Sequence, residues 1–178
     1  SGAQAVSAIM SAPVEADGYR YLRRTAITST IYLDQAEHTN IRFEDCVVSS
    51  SSNYVVQTFG GVSGPFPSAQ WPEFRYCEVS GGSSATFYGG HVRFLRCNIH
   101  HGVDLAKLDG PCEFYASYMH SNWHPADAHC DTFQIVTRAN GALIHWSNCQ
   151  GFNAEDSPTS VGQPNNGVLQ TGSVTGDI

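Results

Sequence analysis

Residues 119–134 read MHSNWHPADAHCDTFQ, and this stretch concentrates the side chains best suited to chemistry. His120, His124 and His129 titrate near neutral pH, so each can take or give a proton. Asp131, read with Asp104 upstream, supplies the two carboxylates that acid–base hydrolysis requires. Lys107 and Arg138 are cations able to neutralise a developing negative charge. Gln134 and His100 offer hydrogen bonds, and Trp123 presents a flat apolar ring. His120, His124, Asp127 and His129 invite a metal reading, but no zinc-motif spacing is present and no metal is expected. Each group also has a structural reading. Asp104 and Asp131 could cap turns through backbone amides. His129 could order the loop by bonding Asp131, and Trp123 could plug the underside of a long loop.

Which reading holds depends on the elements that carry these residues, and those are set by a repeat. Five segments align: IRFEDCVVS (41–49), PEFRYCEVS (72–80), VRFLRCNIH (92–100), CEFYASYMH (112–120) and IHWSNCQGF (144–152). The third position is aromatic each time: Phe43, Phe74, Phe94, Phe114 and Trp146. The sixth is small: Cys46, Cys77, Cys97, Ser117 and Cys149. The eighth is apolar in Val48, Val79, Ile99 and Met119, and Gly151 breaks the column. Unit starts lie 31, 20, 20 and 32 residues apart, and a period near twenty with insertions marks a solenoid. Positions one and three share a face, as do six and eight, so strand alternation requires a corner between three and six. A third strand precedes each pair: TIYLD, YVVQT, ATFYG, DLAKLD and DTFQIV.

Three short strands per period predict an all-β, right-handed parallel β-helix of about five to six rungs. The segment NGVLQTGSVTGDI (166–178) is expected to open a last, incomplete rung. The second position alternates in charge, Arg42, Glu73, Arg93, Glu113 and then His145. It is expected to form an outward ladder with favourable neighbours. Cys46, Cys77, Cys97 and Cys149 are expected as free interior thiols behaving as small hydrophobes. Cys112 also falls at an interior position, so a Cys112–Cys130 bridge is not expected. Aligning Leu108 with Ile135 places Asp104 beside Asp131 and Lys107 beside Gln134, with Phe87 one rung earlier. His100 then stacks under His120.

Composition agrees with this architecture. The 178 residues are 41% hydrophobic, only 14% charged, and include 17 glycines, a balance that suits a turn-rich β protein. Net charge is −7 and Lys107 is the only lysine, which argues against nucleic-acid or anionic-membrane partners. No apolar run is long enough for a transmembrane helix. Residues 1–24 are expected to be an N-terminal linker or cap segment, and residues 25–178 the β-helix domain.

The segments GVDLAKLDGPCEFYASYMH and AHCDTFQIVTRANGALIHWSNC resemble the pectate-lyase-like right-handed β-helix superfamily. The nearest likeness is to proteins encoded by actinobacteria and their phages. These carry a His-x-Asp-x-x-Gln stretch opening a rung strand, matched here by His129, Asp131 and Gln134. The likeness covers roughly residues 25–178. It implies a carbohydrate-directed protein that binds a polysaccharide or cell-surface glycan, with cleavage by a lyase or glycoside hydrolase route as one outcome. The alternative is a non-catalytic structural or receptor-binding module of a phage tail or virion. Either setting implies an extracellular or virion-associated location, with a homotrimer or further rungs as the assembly.

For cleavage, His129, Asp131, Lys107, Asp104 and His120 are the catalytic candidates. Gln134, Trp123, His124, Arg138 and His100 are the candidates for substrate contact. No cofactor is required, although calcium could bridge carboxylates to a polyanionic sugar. The chain departs from the best-known pectate lyases and polygalacturonases. It has neither an evident cluster of calcium-ligating aspartates nor the paired-aspartate motif.

Overall fold

In a computed structural model, the structure describes residues 1–61, 67–123 and 130–136 and the strand backbones at 144–147, 150–151 and 166–170. Strands come in triplets. They are β1 (Arg20–Arg23), β2 (Ala26–Ile27) and β3 (Ile31–Leu33), then β4 (Ile41–Glu44), β5 (Val47–Ser50) and β6 (Tyr54–Thr58). The third triplet is β7 (Glu73–Arg75), β8 (Glu78–Gly81) and β9 (Ala85–Gly89), and the fourth β10 (Arg93–Leu95), β11 (Asn98–His100) and β12 (Asp104–Leu108). The fifth is β13 (Cys112–Tyr115), β14 (Tyr118–His120) and β15 (Asp131–Ile135), and the last β16 (Ile144–Ser147), β17 (Gln150–Gly151) and β18 (Asn166–Gln170). Each triplet is one rung. Corresponding strands pair in parallel to form three six-stranded sheets, β1-β4-β7-β10-β13-β16, its equivalent from β2 to β17, and that from β3 to β18. The result is a parallel β-solenoid, as the repeat predicts.

The register is that of the sequence columns. Phe43 pairs with Phe74, Phe74 with Phe94, and Phe94 with Phe114. Their rings stack at 4.7, 5.1 and 5.2 Å with interplanar angles of 6°, 16° and 10°. Each such contact adds about 0.5–1.5 kcal/mol beyond area burial. Val48, Val79, Ile99 and Met119 are fully buried beside them.

The corner demanded by the odd step from three to six is made by the fifth residue. Asp45, Tyr76, Arg96 and Ala116 all take a left-handed backbone, with φ between 49° and 56°. Their amides keep the ladder going around the bend, as in Asp45 N–H to the Arg75 carbonyl at 3.1 Å and Tyr76 N–H to the Leu95 carbonyl at 3.0 Å. A sixth unit, RYLRRTAI (20–27), went unread in the sequence. Leu22 pairs with Phe43 and Ile27 with Val48, and Arg24 has φ 50°. Its signal is weak because leucine replaces the aromatic and Thr25 replaces the cysteine.

The thiol column is interior and reduced. Cys46, Cys77, Cys97, Cys112 and Cys130 are free and buried, whereas Cys149 lies outside the described residues. Each sixth residue aims its hydrogen at the previous rung's third carbonyl. Cys77 Sγ is 3.4 Å from the Phe43 oxygen, Cys97 Sγ 3.3 Å from that of Phe74, and Ser117 Oγ 3.3 Å from that of Phe94. The column therefore needs a small side chain with a donor, not merely a small hydrophobe. Burial raises the Cys112 thiol far above its ordinary pKa.

Part of residues 1–24 packs on the solenoid. Helix α1 (Gly2–Ser11), closed by a Ser1–Gln4 capping box, sends Ala5 and Ile9 into the core, and β1 joins the first sheet. The charge ladder points away from the core, and its Arg42–Glu73 half is buried at 5% and 4% exposure, whereas the Arg93 and Glu113 side chains are 18% and 34% exposed. Arg42 Nε–Glu73 Oε2 and Arg93 Nε–Glu113 Oε2 are both 2.6 Å, and Glu73 also holds Arg75 at 2.9 Å. Asp17 pairs with Arg42 at 2.6 Å, and the Tyr19 ring lies 3.9 Å from the Arg42 guanidinium carbon. The segment before β1 thus folds back over Arg42 and Glu73 and shields that pair from water. The Tyr21 hydroxyl, bonded to Asp17, holds that carboxyl down at about 2.

Candidate functional site

The structure separates the sequence-predicted residues into three places. On the third sheet, Lys107 pairs with Gln134 and Leu108 with Ile135, as the alignment requires. The Asp131 amide donates to Asp104 Oδ1 at 2.8 Å. Lys107 Nζ lies 3.2 Å from Asp104 Oδ2 and donates to Ser84 Oγ at 2.9 Å. Asp104 and Asp131 are 2% and 0% exposed. Burial raises the Asp104 pKa, and the Asp131 amide and Lys107 oppose that rise. These contacts fit the turn-capping reading of Asp104, since its carboxylate ties one rung's third strand to the next. Lys107 and Gln134 face outward, half-buried, and the rung neighbour of Lys107 is Tyr88 rather than Phe87. The strand's pleat explains that correction, because Phe87 shares the inward face with Ala106 and Phe133.

On the outer face of the second sheet, His100 stacks on His120 at 5.1 Å and 18°. His120 bonds Ser121 Oγ through Nδ1 at 2.8 Å and Asn98 Oδ1 through Nε2 at 2.9 Å. His100 Nε2 lies 3.3 Å from Glu78, and its Nδ1 meets that of His101. Burial lowers the His100 pKa, as do its two histidine neighbours, while Glu78 opposes them. His120 is therefore committed to hydrogen bonds within the sheet. His124, His129 and Arg138 lie outside the described residues.

Trp123 belongs to the third place. It stands at one end of an open groove of about 540 Å³ along the corner between the second and third sheets. That volume falls within the roughly 300–1,000 Å³ of small-molecule sites. The floor comes from the ends of β5 and β8 and the bends after them, Ser49–Ser51 and Ser80–Ser83, with His101 beside Trp123. Gly81 and Gly82 keep the floor open. Their φ values of 98° and 93° suit glycine alone, and a Cβ on either would strike the Ser50 or Ala85 carbonyl.

Among the described residues, the hydroxyls of Ser49, Ser51 and Ser80 make no protein hydrogen bond and remain available to a ligand. Trp123 is 38% exposed. Its backbone is fixed by its amide, which donates to the Gly102 carbonyl at 2.8 Å, and by the Cys130 thiol, 3.5 Å from its own carbonyl. Buried Asn122 clamps the loop base by donating to the Val103 and Asp131 carbonyls at 3.2 and 2.9 Å. The serines and His101 were missed in the sequence reading. Their signal was present as two polar runs, VSSSSN and VSGGSS, at the same offset in consecutive units.

Among the described residues no carboxylate lines this groove and no group of three or more His, Cys, Asp or Glu side chains could hold a metal ion. The arrangement can bind through hydroxyls, one imidazole and an indole face. Among the described residues it contains no pair of groups placed for acid–base cleavage. Comparison with known proteins finds no matching family, no matching curated protein and no matching solved structure.

Proposed function

We propose that this chain is a carbohydrate-binding β-solenoid that holds a glycan along the serine groove and stacks one sugar ring on Trp123. The observation that carries this reading is the joining of an exposed indole to a row of unengaged hydroxyls in one open groove. Sugars present alternating apolar faces and hydroxyl edges, and an aromatic plane with short polar side chains complements both. Binding without cleavage is favoured because Asp104 and Asp131, the best carboxylate pair, are buried and Asp104 is used to join rungs. This supports the receptor-binding or structural alternative over a lyase or hydrolase. The sequence likeness to pectate-lyase-like proteins supports a right-handed coil and an extracellular or virion setting.

The test is calorimetric titration with a panel of neutral and acidic oligosaccharides. Absorbance near 235 nm and reducing ends are followed in parallel. Binding lost in Trp123→Ala, with no product formed, is the expected outcome. Equal binding by Trp123→Ala would remove the groove from consideration, and product formation would restore the enzyme reading.

A further inference from the structure

The opposite end of the second sheet's strands, at the corner with the first sheet, carries a feature the groove does not use. Arg75, Tyr76, Leu95, Arg96 and Tyr115, drawn from three successive rungs, line a cleft of about 190 Å³. The adjoining ladder is neutral by count, since Arg42, Arg75 and Arg93 are met by Asp17, Glu73 and Glu113. Arg96 stands apart. Its Nη1 donates to the Tyr76 hydroxyl at 3.1 Å, and its guanidinium carbon lies 5.6 Å from that ring's centroid. Among the described residues no carboxylate comes within ion-pair distance of it. In a chain of net charge −7, this leaves Arg96 as an exposed cation held by a phenol rather than by a carboxylate.

The cleft walls are two open aromatic rings, Tyr76 at 51% and Tyr115 at 42% exposure. Together the parts match an anion carried on a ring. Guanidinium groups form strong charge-assisted bonds to oxyanions, and tyrosine offers an apolar face with a polar rim. The two guanidinium groups start from different positions in adjacent rungs, Arg75 in the fourth and Arg96 in the fifth. A sulfate or phosphate ester offers three terminal oxygens against a carboxylate's two, which suits donors that arrive from separate positions.

We propose that this cleft is a second binding site, for a sugar ring bearing a sulfate or phosphate ester. Arg96 and the Tyr76 hydroxyl hold the ester oxygens, Arg75, already paired with Glu73, borders the cleft, and Tyr115 packs against the ring.

The intact chain is titrated calorimetrically with glucose 6-phosphate, glucose 6-sulfate, glucuronate, inorganic phosphate and glucose. Both esters should bind and glucose should not. Arg96→Gln should weaken ester binding by about tenfold or more, with an unchanged melting temperature. Tyr115→Ala, an exposed position, should weaken the sugar esters while leaving inorganic phosphate unaffected. A phosphate arm that strengthens as its second charge develops marks the phosphorylated sugar as the ligand, and equal arms mark the oxyanion class. Ester affinity unchanged in Arg96→Gln overturns the site, and glucuronate binding as tightly as the esters overturns the ester assignment.

Discussion

Replacing Cys77 separates the two reasons for a thiol in the sixth column, its size and its proton. The sulfur lies 3.4 Å from the Phe43 carbonyl and 3.3 Å from the Arg75 carbonyl, in a fully buried site. Cys77→Val fills the space but removes the donor. The Phe43 carbonyl keeps its ladder amide, so losing a weak thiol donor costs about 1 kcal/mol at most. The added methyl group returns at most about 0.8 kcal/mol. Cys77→Val should therefore lose between about 0.2 and 1 kcal/mol.

Cys77→Ser keeps the donor, and the chain already contains its precedent. Ser117 makes the same contacts at 3.3 Å to Phe94 and 3.2 Å to Tyr115. Its smaller apolar burial and stronger hydrogen bond should nearly cancel, leaving it within about 1 kcal/mol of the parent. Cys77→Ala combines a void with the loss of the thiol donor and should lose about 1–3 kcal/mol. Urea unfolding followed by circular dichroism, at constant m, reads these differences directly. A valine variant as stable as the parent, with a serine variant lower by about 2 kcal/mol or more, would refute the reasoning. The column would then be selected for apolar packing alone.

Other substitutions test the remaining contacts. Glu73→Ala should cost about 1–3 kcal/mol, because it leaves Arg42, whose side chain is only 6% exposed, with Asp17 as its one remaining carboxylate; chemical unfolding measures it, and a loss below about 1 kcal/mol would mean the covering segment opens freely. Asp104→Ala should cost about 1–3 kcal/mol by orphaning the Asp131 amide, whereas Asp104→Asn keeps that acceptor. Because the folded Asp104 pKa is raised, its contribution is full below the unfolded carboxyl value near about 4 and is lost as pH rises through the folded value. The stability of Asp104→Asn relative to the parent should thus grow between acidic and neutral pH, and a flat difference would contradict the buried-charge account. Asp45→Pro should prevent a stable rung, since it forbids φ 53° and deletes the amide bonded to Arg75; a native-like melting curve would be the contrary result.

Much of the candidate site was not legible in advance. The pairing of Lys107 with Gln134 and the stacking of His100 on His120 followed from column alignment, because parallel rungs place like positions over one another. The burial of Asp104 and Asp131 did not follow, since alternation says which way a strand residue points only away from corners. Trp123 was singled out for its ring, but the partners it found were serines from rungs far upstream in sequence. The separation of His120 from Trp123 by a single corner also lay beyond a linear reading.

The sequence by itself determined the rung. Its aromatic, thiol and aliphatic columns, the bend between the third and sixth positions, and the alternating charges are local rules repeated at a near-constant period. Stacking needs no information beyond that repetition. Only the tertiary structure decided what covers the charge ladder, where the rung corners leave open space, and which polar groups remain without protein partners. Those outcomes depend on segments distant in sequence, such as the turn around Asp17 and Tyr19 closing over Arg42. They are set by how three sheets meet at their corners, and no single strand encodes that.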